Sequence, residues 1–127
     1  MSYEFSATEN QTIQRTAGRS VVYGYASVAL GALGTLGGLA ALVVVGGAAG
    51  AVGIGIAVAL LPNLIAGFWY VRAGESLKGV VETQGHDIAL MMVAMDRIAA
   101  AFKLEGIASI IGMVAGFIIG FAMVAAQ

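Results

Sequence analysis

Between Arg19 and Arg72 the chain runs for 52 residues without an Asp, Glu, Lys, Arg or His. A helix needs about 20 apolar residues to cross a hydrocarbon core of roughly 30 Å. The run is therefore too long for one crossing and right for two joined by a tight turn. In 127 residues that are 60% hydrophobic, with a mean hydropathy of +0.95 and 10% charged residues, a soluble fold would leave more apolar surface than one small core could hide. The expectation is an all-α integral membrane protein in a single membrane domain.

The segments divide as follows. Residues 1–19 are polar, and Ser6-Ala7-Thr8-Glu9 has the form of a capping box, so a short helix should start near Ala7 and lead into the membrane. The apolar run behind it far exceeds a signal-peptide core, so the N-terminal segment is expected to be retained. Residues 20–71 form a transmembrane hairpin, with span one over 20–45, the turn within 46–51, and span two over 52–71. A third uncharged run, 106–126, is again long enough to cross, and Gln127 emerges on the far side.

Between spans two and three, residues 72–105 hold nine of the 13 charged side chains and cannot cross. At 100° per residue, Ile88, Met91, Met92, Met95, Ile98, Ala99 and Phe102 share one arc, with Arg97 and His86 opposite. This predicts an amphipathic helix on the membrane surface or on a neighbour, set off at Gly85 from a helix near 75–84. All six basic residues precede span one or lie between spans two and three. Tyr23, Tyr25 and Phe68-Trp69-Tyr70 stand at the same boundary, and the basic side is read as cytoplasmic.

The pattern Phe5-Ser6 with Asn10 and Ile13, then Glu82-Thr83-Gln84-Gly85-His86-Asp87-Ile88 and Met91 to Met95, resembles a family of small bacterial integral membrane proteins with no assigned activity. The resemblance implies a shared architecture in a bacterial inner or intracytoplasmic membrane, and no reaction.

Without a hydrophobic drive between helices in lipid, close packing depends on small residues. Gly112, Gly116 and Gly120 form a GxxxGxxxG ridge that Ala108 extends. Gly24, Ser27, Gly31, Gly34 and Gly38 form another in span one, and Gly46, Gly50, Gly53 and Ala57 one in span two. Such ridges expect partners inside the protomer or between copies. The stretch Gly50 to Ile56 resembles the glycine-rich helix of the ATP synthase proton ring. That mechanism needs an intramembrane carboxylate, and none of the three uncharged runs contains one.

Pro62 should kink span two, and Asn63, the most polar side chain in any span, is expected to fix register through an interhelical hydrogen bond. Met91, Met92 and Met95 are an adaptable surface in the sense that thioethers repack readily.

No cysteine, paired acids, nucleophile beside a base or phosphate loop can be found, and His86 with Glu82 and Asp87 matches no metal spacing. No enzyme activity, cofactor, metal or small-molecule substrate is expected, and a net charge of −1 gives no field for nucleic acid. The expected partners are the lipid bilayer and further copies of the chain, in a symmetric homo-oligomer that scaffolds or shapes the membrane. The alternative is an oligomeric channel or transport accessory, for which Ser27, Thr35, Asn63 and Ser109 are the available polar lining. Single cysteines at Ser2, Ala49, Gln84 and Gln127 test the topology: positions 2 and 84 should label from one side, and 49 and 127 from the other. Labelling of 84 and 127 from the same side would remove the three-span arrangement.

Overall fold

The computed structural model describes residues 5–83 and 87–125. They form three long helices: α1 (Ala7–Val45), α2 (Gly47–Glu82) and α3 (Asp87–Ala125). All three are long and apolar enough to cross a membrane. At 1.5 Å per residue, a helix of 39 residues is about 58 Å long, nearly twice a hydrocarbon core, so each helix has an uncharged part and a charged extension. The charged parts 7–19, 72–82 and 87–105 are therefore continuations of the spans, not separate short helices as the sequence suggested.

Helix α1 starts at Ala7 because Ser6 and Glu9 cap it reciprocally: Glu9 N–H donates to Ser6 Oγ at 3.4 Å, and Ser6 N–H donates to Glu9 Oε2 at 2.7 Å. The reversal into α2 is tighter than the turn expected over 46–51. Gly46 alone separates the helices, with φ 63° and ψ −172°, and Gly47, the first residue of α2, has φ 55°. Two consecutive positive φ values are open to glycine at little cost, so the chain turns without a loop. The Gly50 N–H already donates to Gly46 O at 2.9 Å. Helix α2 then runs without a break through Pro62. The break between α2 and α3 falls after Thr83; the expected boundary at Gly85, and His86 with it, lie outside the described residues.

Helices α1 and α2 lie antiparallel along their length, in contact through backbone. The buried positions of α1 include Ala17, Gly24, Gly31 and Gly38, each seven residues from the next, and α2 answers with Gly74, Gly67 and Gly53. A methyl group added at Gly24 would stand 2.7 Å from Gly67 O, one at Gly67 would stand 2.7 Å from Gly24 O, and one at Gly74 would stand 2.8 Å from Ala17 O. Gly53 and Gly38 meet in the same way, a methyl at Gly53 lying 2.5 Å from Gly38 O. The seven residues from Ala17 to Gly24 are matched by seven from Gly74 to Gly67, and the fourteen from Gly24 to Gly38 by fourteen from Gly67 to Gly53. That period keeps one seam facing its partner by left-handed winding. Hydroxyls pin the register: Ser20 Oγ donates to Tyr70 O (2.8 Å), Ser27 Oγ to Asn63 O (3.0 Å) and Thr35 Oγ1 to Ala57 O (3.4 Å).

Helix α2 is central: among the described residues α1 and α3 both pack on it, and their backbones do not approach each other. Larger buried side chains gather at the charged end, where Ile13, Ala17, Ala73, Leu77, Val80 and Ala94 form a core flanked by Phe5, Leu90 and Met91.

The seam predicts a sharp contrast between glycines. Gly24→Leu and Gly67→Leu should each destabilise the purified protein by about 1–3 kcal/mol, because backbone cannot yield to the added group. Gly37→Ala and Gly55→Ala, where an added methyl meets nothing within 4 Å, should be neutral or slightly stabilising through helix propensity. Denaturant titration in detergent micelles checks this, and equal losses at all four positions would remove the seam.

Candidate functional site

Helix α3 packs with only part of the apolar arc: Met91 and Ile98 lie against the cores and Phe102 against Tyr70, while the fully buried positions stand to one side of it. Ala94 and Ala101, seven residues apart, are fully buried against α2, and Arg97 lies between them on the same face. Ile88, Met92, Met95 and Phe102 on the expected arc are 57–65% exposed. Helix–helix packing here follows size rather than polarity: alanines let α3 approach α2, and the aromatic and aliphatic side chains of α2 fill the space. Ala66, Tyr70 and Ala101 form the second core, with Trp69, Ile98 and Leu104 against it. Arg97 turns inward because Nη1 finds acceptors on α2, Arg72 O at 2.9 Å and Ser76 Oγ at 2.8 Å. Periodicity placed it opposite the apolar arc and could not show that this side faces protein.

At the level where α2 passes from uncharged to charged sequence, three aromatic rings link the helices. Tyr23 of α1 meets Tyr70 edge to face at 5.0 Å between centroids, and Tyr70 meets Phe102 of α3 in the same manner at 5.8 Å. Such edge-to-face pairs are favoured by the ring quadrupoles. The Tyr70 hydroxyl donates to Glu105 Oε2 at 3.0 Å, while Glu105 Oε1 is buried with no hydrogen-bond partner among the described residues. A carboxylate with one oxygen unsatisfied relies on the bond it has. Sequence reading treated Glu105 as the last residue before the third span; its tyrosine partner, 35 residues earlier, left no local signal.

The residues singled out from sequence fall into three groups. Gly31, Gly34 and Gly38 face α2 within the protomer: a methyl at Gly31 would lie 2.6 Å from Leu64 N, Gly34 is covered by Leu60, and Gly38 by Ala57 and Gly53. Asn63 is half-buried, and it is its backbone carbonyl, not its amide, that bonds Ser27. Met91 packs against the charged-end core, whereas Met92 and Met95 are exposed.

On the third helix Ala108 is half-buried and Gly112 exposed, and a methyl at Gly112 would meet nothing within 4 Å. Around it Ile110, Ile111, Met113, Val114, Phe117 and Phe121 are 51–80% exposed. Gly116 and Gly120 continue α3, and their surroundings lie outside the described part. Gly67 and Gly74 were missed; their seven-residue spacing, shared with Gly24, Gly31 and Gly38, was the available signal.

Compared with known families, curated proteins and solved structures, the chain matches none.

The Tyr70–Glu105 bond should hold α3 to α2. Tyr70→Phe leaves both oxygens of Glu105 without a partner and should cost about 1–3 kcal/mol, while Tyr70→Phe with Glu105→Leu should recover most of the loss, since replacing both partners removes the unmet acceptor. Additive losses in this double-mutant cycle would show that the bond contributes nothing.

Proposed function

We propose that the chain is a non-enzymatic building block of a symmetric homo-oligomer that scaffolds or shapes a membrane. It would sit in a bacterial inner or intracytoplasmic membrane with its N-terminus and the charged ends of all three helices in the cytoplasm. The observation that carries this reading is the small-residue face of α3. Its first part, Ala94 and Ala101, is buried against α2, while further along the helix Gly112 is open. A bare glycine surface gains little from flexible lipid chains and gains dispersion contacts when another helix packs on it. The seams that could have satisfied span one are already closed within the protomer, whereas Gly112 is open and available to another copy.

The polar groups of the spans bear on the alternative of an axial channel. Ser27 and Thr35 donate their hydroxyls to carbonyls of α2 and are thereby committed to the hairpin. A wetted path would need polar lining, and this leaves it mainly Gly, Ala and aliphatic side chains.

Gly112→Ile should shift the complex to a smaller mass by native mass spectrometry in nanodiscs, with the protomer's helix content unchanged. Persistence of the full assembly would end the claim for this ridge. Liposomes carrying the purified protein should show no ion flux above that of empty liposomes; robust flux abolished by Asn63→Leu would establish the channel instead.

A further inference from the structure

A groove of about 780 Å³ opens on one side of the molecule where its uncharged and charged parts meet. Its wall toward the uncharged end is Tyr25 and Val28 of α1 with Phe68 and Val71 of α2, and toward the charged end Arg72, Glu75 and Ser76 of α2 with Leu90 and Arg97 of α3. We infer that this groove is a phospholipid site, taking a phosphodiester headgroup at Arg72 and Arg97 and laying an acyl chain along Tyr25, Val28, Phe68 and Val71. The inference rests on the membrane-spanning reading above.

Arg97 is the built part of the site. The residue is half-buried, and its guanidinium is held by two hydrogen bonds, to Arg72 O and Ser76 Oγ; Ser76 Oγ in turn donates to Arg72 O at 3.0 Å. Both bonds of Arg97 come from Nη1, so Nη2 and Nε keep their protons for a ligand. A guanidinium already fixed in place loses little freedom on binding, and its planar fork matches the oxygens of a phosphate. Arg72 is exposed beside it, the first charge after the uncharged run. Glu75 sets one negative charge against these two positive ones, which suits a monoanionic phosphodiester better than a dianionic phosphate ester.

The position argues for a lipid rather than a soluble anion. The groove is apolar on the side that would lie in hydrocarbon and cationic on the side that would lie among headgroups, the same division a phospholipid carries. Exposed Tyr25 and Phe68, at 62% and 55%, supply the aromatic surface typical of that depth.

The test titrates delipidated protein in detergent with dioleoyl phosphatidylglycerol, counting bound lipid by native mass spectrometry. Chain-matched diacylglycerol and inorganic phosphate serve as the headgroup-free and chain-free probes. Arg72→Gln should weaken lipid binding about tenfold, the effect of one charge-assisted contact, and Arg97→Lys, which keeps the charge and loses the fork, should weaken it several-fold. Arg15→Gln removes an equal charge from α1 outside the groove and should leave binding unchanged. Diacylglycerol should bind at least tenfold more weakly than the phospholipid, and millimolar phosphate should not compete.

Equal losses in Arg15→Gln and Arg72→Gln would reduce the effect to bulk charge and overturn the site. Wild-type binding in Arg72→Gln would do the same, as would equal binding of diacylglycerol or full competition by phosphate. Recovery of the intact protein in the carbonate-washed membrane fraction separates this failure from failure of the membrane reading itself.

Discussion

The approach of α1 to α2, close enough that an added methyl would strike a main-chain carbonyl, is the contact from which the other features follow. Backbones meet at Gly24 and Gly67, at Gly38 and Gly53, and at Ala17 and Gly74. Because that seam consumes almost no side-chain volume, Leu30, Leu33, Leu36, Val43 and Val58 project outward and are 64–83% exposed. Exposed apolar surface of this kind fits helices long and apolar enough to cross a membrane. The hairpin turns its large side chains outward and keeps its small ones for the contact between helices.

Helix α3 is held by a different chemistry. Over its charged half it docks on α2 through buried alanines, the Arg97 bonds to Arg72 O and Ser76 Oγ, and the aromatic series from Tyr23 through Tyr70 to Phe102. These are directional contacts where the sequence passes from uncharged to charged, and tyrosine and arginine each offer an apolar stem and a polar tip there. Toward its C-terminal end the exposed isoleucines and phenylalanines beside Gly112 have no such anchors. Among the described residues the molecule is thus packed at its charged end and exposed along the C-terminal part of α3.

Some features were legible without coordinates because their causes are local. The capping box at Ser6 and Glu9 acts within one turn, the uncharged runs report their medium residue by residue, and Gly46-Gly47 permits a reversal by its own backbone freedom. The glycine ridge of span one was visible as a list of small residues, but that it faces span two became definite only with the partner. Gly67 and Gly74 sit among aromatic and charged residues, and their seven-residue spacing becomes a seam only where α1 brings Gly24 and Ala17 against them.

By itself the sequence determined three apolar runs long enough to cross a membrane, a tight reversal between the first two and a charged region outside them, since hydropathy, helix capping and glycine backbone freedom depend on neighbours a few residues away. That the charged segments continue the same three helices was decided by the structure. Tertiary structure alone decided which face of each helix is used. On α3 much of the apolar arc is left exposed and the face bearing Ala94, Arg97 and Ala101 lies nearest α2, because close packing rewards small side chains and a half-buried arginine finds acceptors on the neighbouring helix. The pairing of Tyr70 with Glu105 and the groove beside Arg72 likewise depend on residues brought together from separate helices, and no pattern along one chain encodes where two helices will stop sliding past each other.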